Sequence, residues 1–393
     1  MRLVIVNPVW DPAHATPMET LARFATLTGW ATSVRASGAE RVTVCQRFPI
    51  DAEVRRDGVE YFFCADRQRP SPRWTSRATS SMLTAIREAV PDLVHLNGLL
   101  FPELIRSIRT ALPERVALVV QDHGGFEPAD ASAFTRVWLR RGLAAADAVL
   151  VASPGQAEAL RDSTIAPRET LIADVMESST TLVPVSRARA RAELHMQGEP
   201  ALLWVGRLNE NKDPLTVLAA IARLALRHPR VTLTMAFHEG ELAEQVRAAV
   251  AADPVLASRV TLVGAVPHDR LAAYYSAADA FIVGSHHEGS GYAAIEAMAC
   301  GCVPIVTDIP SFRALTGDGA VGELWTPGDA DGCARAIERA LTRPLAEHRE
   351  AVSARFAEHF SWPMVGRRAV RIYRDVIAAR DRVRSEARTP HRR

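Results

Sequence analysis

The sequence predicts an α/β protein built from two Rossmann-like domains facing a cleft. Three observations lead there. The chain has 393 residues, which suits two domains. Short apolar runs alternate with helical patterns along both halves, as in parallel βαβ units. Between the halves, over 185–193, the composition shifts to Arg and Ala, and Gly198-Glu199-Pro200 follows, so a linker is expected at 184–200.

The first half opens on a buried strand at 3–6. The loop after it, from Asn7 to Thr16, holds Trp10, Asp11 and His14 and no glycine. A dinucleotide-binding unit would carry G-x-G-x-x-G here, so NAD or FAD at this turn is disfavoured. Trp10 and Asp11 are candidates to shape a ligand site with side chains; Trp10 reads equally well as a packing residue. A helix is expected over 18–27, ended near Gly29, then strands at 41–45 and 59–63 and an exposed Arg-, Pro- and Ser-rich loop at 67–76. A helix at 80–90, a strand at 93–96 ending in Asn97-Gly98, and a helix at 102–111 come next. The strand at 116–120 runs into Gln121-Asp122-His123-Gly124-Gly125. Polar groups at the carboxyl ends of parallel strands are where open α/β sheets bind ligands, which marks Asn97 and His123. The alternative for His123 is a structural histidine bonded to backbone, and His95, inside its strand, is read that way. Strands at 144–152 and 172–175 close the half, with a helix from near Gly155 between them.

The second half restarts at 202–205. Gly206-Arg207-Leu208 ends this strand, Lys212 follows five residues after Arg207, and Pro214 sits at a favoured first helical position. Two cations beside a helix start can clamp a diphosphate, Arg through a planar fork and Lys as a point charge. Strands at 231–236 and 260–263 follow, the latter running into Gly264, Ala265 and Val266, then a helix at 269–276. The densest stretch is 281–310: a buried strand, the loop Glu288-Gly289-Ser290-Gly291, a helix from Tyr292 with Ile295, Met298 and Ala299 at helical spacing, Gly301 as its C-terminal cap, and a strand at 302–306. A helix N-terminus flanked by Glu288 and Glu296 can hold a phosphate through its N–H groups and sugar hydroxyls through its carboxylates. The bland alternative is two solvated glutamates about a glycine loop. A helix at 311–315, a strand at 322–325, a helix at 330–341 and a terminal helix from Phe360-Ser361-Trp362 to about Arg380 complete the chain, with a basic tail at 389–393.

Glu288-Gly289-x-Gly291 with Glu296 resembles the E-x7-E signature of retaining glycosyltransferases of family 4, which have the GT-B fold. Glu296-Ala297-Met298-Ala299-Cys300-Gly301 and Pro304 match the same family, as does the G-R-x4-K spacing of Gly206, Arg207 and Lys212. The chain departs from the family at Ser290, where an aromatic residue is usual, in the glycine-free first loop, at His238, and at 176–180, where a Pro-Asn-Gly-Val-Asp type turn is usual. The resemblance implies an acceptor domain at 1–184, a donor domain at 185–365, and a helix at 366–393 that returns to the first domain. It implies a retaining, metal-independent transfer of a sugar from a nucleoside-diphosphate sugar, UDP- or GDP-linked, to an acceptor hydroxyl. His123, Arg207, Lys212 and Glu288 would be catalytic. Arg207, Lys212, Val266, Glu288, Gly289, Ser290, Gly291, Tyr292 and Glu296 would bind the donor. Trp10, Asp11 and Asn97 would face the acceptor, and no residue would hold a metal. Glu288 is open between sugar-binding group and nucleophile. Two other readings keep the same site: a GT-B sugar-nucleotide epimerase, and a non-catalytic sugar-nucleotide binder.

Composition narrows the partners. Lys plus Arg is 47 and Asp plus Glu is 45, so a net charge of +2 gives no signal for nucleic acid. Arg and Ala richness fits a GC-rich bacterial genome. No apolar run reaches membrane-spanning length, and the start carries no secretory pattern. Five cysteines make no disulfide framework, and Cys300 and Cys302 are too close for usual zinc spacing. The expected location is the cytoplasm, with the tail giving at most weak attraction to a membrane surface. The expected acceptor is a carbohydrate, a lipid-linked sugar or a small molecule, and no cofactor is expected beyond the nucleotide sugar.

Overall fold

Runs of β-branched and apolar residues, buried on both faces in the central strands, set two sheets that are parallel but for one hairpin. The computed structural model describes residues 1–66, 73–123, 126–176 and 178–388. Gly124, Gly125, residue 177 of the 176–180 run, most of the loop expected at 67–76 and the basic tail lie outside them. The chain divides into two compact units, Met1–Ser178 with Trp362–Arg393, and Ser179–Ser361.

The first unit holds β1 (Arg2–Asn7), β2 (Arg41–Phe48), β3 (Ala52–Arg56), β4 (Val59–Ala65), β5 (Leu93–Asn97), β6 (Ala117–Gln121), β7 (Ala148–Val151) and β8 (Leu171–Asp174). Their order is β3-β4-β2-β1-β5-β6-β7-β8, parallel except for the β3–β4 hairpin. That hairpin turns on Asp57-Gly58, both at positive φ, as a two-residue turn requires. The sequence reading has no strand at 52–56. Three other expectations are corrected. Residues 144–147 are not strand, since the helix Ala133–Leu143 ends only there. The helix expected at 18–27 is two helices, Pro17–Arg23 and Ala25–Ala36, broken at Phe24, which is non-helical. Gly29 does not end a helix but lies inside the second one.

Gly29 is there for close approach. A Cβ at Gly29 would sit 2.3 Å from Cζ2 of Trp362, and one at Gly366 would sit 2.4 Å from the carbonyl oxygen of Ser33. The terminal helix Trp362–Arg388 thus lies against Ala25–Ala36 on the first unit, burying Val365, Ala369, Val370, Tyr373 and Val376. The Tyr373 hydroxyl accepts from Trp30 Nε1 at 3.0 Å and lies 2.5 Å from His95 Nδ1. Burial pushes the His95 pKa down to about 3, so the ring is neutral and its Nδ1 accepts a hydrogen bond from the Tyr373 hydroxyl. Tyr373→Phe is expected to leave both partners unsatisfied and cost about 1–3 kcal/mol in a denaturant titration; an unchanged midpoint would refute this role.

The second unit holds β9 (Ala201–Arg207), β10 (Thr232–His238), β11 (Val260–Gly264), β12 (Ala280–Val283), β13 (Val303–Thr307) and β14 (Glu323–Trp325), all parallel, in the order β11-β10-β9-β12-β13-β14. The expected linker is partly helical, at Arg187–Glu193. Arg187 and Arg191 from that helix both reach Asp279, which also accepts from Ala201 N at 2.8 Å. These residues therefore belong to the second unit. The helix Leu345–His359, just before the terminal one, is an element that the sequence pattern does not predict.

Candidate functional site

In each sheet the strand order reverses direction once, and the carboxyl ends of the strands beside that point form the natural ligand crevice. In the second unit the reversal lies between β9 and β12, and the loops leaving these strands carry Arg207, Lys212 and residues 284–291.

The two loops are stitched together. Asn211 donates from Nδ2 to the His287 carbonyl and accepts at Oδ1 from the His287 N–H, both at 2.9 Å. The His286 N–H donates to the Asn211 carbonyl at 2.8 Å. Lys212 Nζ pairs with Glu288 Oε1, which also accepts from Ser285 Oγ at 2.7 Å. Glu288 Oε2 has no further partner among the described residues. Ser311 Oγ donates to the Glu288 carbonyl and Thr307 Oγ1 to the Ser285 carbonyl, so the next strand and helix fix the loop backbone. His286 turns instead to Asp213 Oδ2 at 3.2 Å. Arg207 is exposed at the end of β9, and its guanidinium has no hydrogen bond or ion pair among the described residues. The loop thus offers one unengaged cation and one shared cation beside a carboxylate.

Gly289 is half-buried, Ser290 is buried, and Gly291 takes a left-handed conformation (φ 67°) just before the helix Tyr292–Ala299. A Cβ at Gly291 would approach Phe312 Cε1 to 2.7 Å, so glycine is required on two counts. Among the described residues no side chain caps this helix, which leaves its first N–H groups to an incoming acceptor atom. Ala294–Ala299 are all buried, more than the single apolar face expected, because the helix packs against β13 and against the helices Leu271–Ala277 and Leu345–His359.

Glu296 is 2% exposed. Its Oε2 accepts from Tyr275 OH at 3.1 Å and its Oε1 lies 2.5 Å from His268 Nε2. Burial pushes the Tyr275 pKa far up, so Tyr275 is the proton donor. The hydrogen bond to Glu296 raises the His268 pKa above its usual 6.5. Val266 is half-buried in the loop between β11 and the 3₁₀ turn His268–Arg270.

In the first unit the reversal lies between β1 and β5. A cavity of about 270 Å3 opens there, lined among others by Asn7, Phe24, Trp30, Asn97, Gln121 and His123. No Lys, Arg, Asp or Glu is among its described lining residues. Trp10 and Asp11 do not line it. Asp11 is occupied in the turn: it accepts from Ala13 N at 3.0 Å, which lowers its pKa, and faces His14 and Arg23.

Sequence reasoning missed Asn211, His268, Tyr275, Ser285 and Ser311 in the second unit and Phe24, Trp30 and Gln121 in the first. Gln121 carried a usable signal, its place at a strand's carboxyl end. Asn211 lay inside the Arg207–Lys212 spacing. The rest act through tertiary contacts that leave no local pattern.

Residues 186–358 match the family model described as Glycosyl transferases group 1, and residues 25–173 the one described as Glycosyl transferase 4-like domain. Over 308 residues the chain is 28% identical to a GDP-mannose:cellobiosyl-diphosphopolyprenol alpha-mannosyltransferase of Xanthomonas oryzae pv. oryzae, covering 76% of this chain and 77% of that one. It is 34% identical over 201 residues to a D-inositol 3-phosphate glycosyltransferase of Frankia alni, 49% of each chain. In structure it is similar to sucrose-phosphate synthase from Thermosynechococcus elongatus, with a TM-score of 0.69, 23% identity, and 96% and 99% of the two chains covered. It is also similar to Anabaena Alr3699/HepE in complex with UDP, with a TM-score of 0.70, 18% identity, and 95% and 100% covered.

Proposed function

We propose that this chain, which belongs to glycosyltransferase family 4 and has the GT-B fold, transfers a sugar from a nucleoside-diphosphate sugar with retained anomeric configuration. The observation that carries the donor assignment is the pairing of the Arg207–Lys212 and 284–291 loops at the sheet reversal of the second unit.

In this reading Arg207 and Lys212 bind the diphosphate and stabilise the charge that grows on it as the anomeric C–O bond breaks. Two side-chain cations take the part that a metal ion plays in other transferases, and no cofactor is needed. Helix N–H groups at 291–292 add to this, with Gly289, Ser290 and Tyr292 shaping the loop. Glu296 accepts from ribose hydroxyls, and the backbone about Val266 meets the base. The leaving phosphate oxygen takes the acceptor proton as the new C–O bond forms on the same face. Glu288 fits a sugar-binding role better than a nucleophilic one: Lys212 and Ser285 both load Oε1, leaving Oε2 to accept from a hydroxyl. UDP and GDP are the favoured carriers; the Xanthomonas relative is named for GDP-mannose.

The first unit is assigned the acceptor. Its uncharged cavity suits a hydroxyl-bearing group, sugar or small molecule, whose held end is neutral, including the sugar end of a lipid-linked acceptor. Asn97 and His123 line that cavity and are assigned to binding there, His123 with a further part at the transferred sugar; Trp10 and Asp11 shape the loop beside it. No helix among the described residues is long and apolar enough to cross a membrane. We place the enzyme in the cytoplasm, with weak peripheral attraction to membranes.

The test is calorimetric titration with UDP, GDP, ADP and dTDP, with chelator present. One diphosphate is expected to bind, and Arg207→Ala to weaken it at least about tenfold, as loss of a charge-assisted hydrogen bond does. Binding of none would overturn the donor site. NMR of the product's anomeric centre checks retention, and product analysis with and without acceptor separates transfer from epimerisation.

A further inference from the structure

The carboxylate assigned to the ribose is already occupied on both oxygens, and its two partners differ in kind. Tyr275 is fully buried and donates to Oε2 from beneath. The His268 side chain is 55% exposed and covers Oε1 from the solvent side. Its ring stacks on Tyr292, the first residue of the helix, with centroids 6.3 Å apart and planes at 28°. A ribose approaching from solvent therefore meets His268 before it meets Glu296.

We propose that His268 is a displaceable latch on Glu296, and that the nucleotide binds by taking the Oε1 position from it. This rests on the donor reading above and adds a positioning residue and a proton to it. His268 opens a short 3₁₀ turn beyond the exposed Pro267, and among the described residues its side chain is held through the carboxylate and the Tyr292 ring.

The charged groups facing His268 are Glu296 across from it and Asp269 beside it. Tyr292, its pKa pushed up to about 12 by burial, and Tyr275, pushed up further, stay neutral. Arg270 is paired with Glu193 at 3.1 Å. In the free protein the hydrogen bond to Glu296 raises the His268 pKa. Once displaced, the imidazole returns toward its ordinary value of about 6.5 and sheds a proton. Nucleotide affinity must then rise with pH between those two values and level off above them, with a slope of at most about tenfold per pH unit.

Calorimetry with UDP and GDP from about pH 5.5 to about pH 8.5 tests this on the wild type and His268→Gln, which can still donate but cannot titrate. The diphosphate's own titration is common to both proteins. The wild type is expected to lose affinity below neutrality relative to His268→Gln, by about three- to tenfold at the acid end. Titration of the His268 ring by NMR in the wild type, free and saturated, gives a second readout that needs no variant: its pKa should fall on binding. Parallel profiles, or a His268 pKa that stays put or rises on saturation, would overturn the latch and leave the donor site standing. If none of UDP, GDP, ADP and dTDP bound at any pH, the donor reading would fall and the latch with it.

Discussion

Lys212→Met is expected to cut donor turnover by about 10²–10³-fold, the size of effect seen when a preorganised charge facing a developing anion is removed. The same change removes the cation from Glu288, whose side chain is only 12% exposed, and should cost about 1–3 kcal/mol of stability. These two effects have separable causes. Glu288→Gln in the Lys212→Met background takes away the uncompensated charge while Ser285 can still donate to the remaining oxygen. The double variant is therefore expected to recover most of the stability and none of the turnover. Nucleoside diphosphate release from UDP- and GDP-sugars, with water or a panel of sugar acceptors, measures the first. Thermal or denaturant midpoints measure the second. If turnover came back together with stability, Lys212 would act only by holding Glu288, and the charge stabilisation of the leaving group would have to rest on Arg207 alone.

The part of the site legible in the sequence is the part set by local rules. Gly291 is demanded by a left-handed turn and a close ring, Pro214 suits a helix start, and Glu296 stands at a fixed spacing from Glu288, from the loop into the helix that follows it. Such constraints act within one loop and its helix, so spacing alone exposes them. His268 could not be found this way. It lies 28 residues from Glu296 and reaches it only because Val260–Gly264 and the 271–277 helix bring the two together. Its sequence neighbourhood, Pro267-His268-Asp269, reads as an ordinary exposed turn. Tyr275 is hidden for the opposite reason: inside a short buried helix an aromatic residue looks like core, and only its hydroxyl shows another task.

The fold's parallel strands were readable because burial on both faces writes continuous apolar runs. What escaped was polar or short. β3, Ala-Glu-Val-Arg-Arg, is an exposed edge strand with little apolar pattern, and only Asp57-Gly58 marked the hairpin. The break at Phe24 has no Pro or Gly to announce it. It puts an aromatic residue in the lining of the first-unit cavity, so a local misreading there conceals a lining residue. Gly29 misled because glycine is more often a helix stop than a contact point; its reason, the Trp362 ring, lies 333 residues away.

The largest stability effect is expected at Asp279, in the segment that leads into β12. Its carboxylate, 9% exposed, is shared by Arg187, by Arg191 Nη2 at 2.9 Å, and by the backbone N–H of Ala201 at the start of β9. One acid thus ties the helix Arg187–Glu193 to the two central strands of the second sheet, the same strands whose far ends carry the loops proposed to hold the donor. Asp279→Asn keeps the shape and removes the charge, leaving two arginines without a counterion; Asp279→Ala removes every bond. A loss of about 3–5 kcal/mol is expected for Ala and a smaller one for Asn, because breaking a desolvated pair strands the remaining charge. Denaturant titration followed by amide hydrogen exchange along β9 and β12 would read this in the second unit. Nucleotide binding should survive in the fraction still folded, since Asp279 lies at the amino end of its strand and the donor loops at the carboxyl ends. An Asn variant as stable as wild type would mean that the arginines find other partners and that the Arg-rich 185–193 segment is a tether after all.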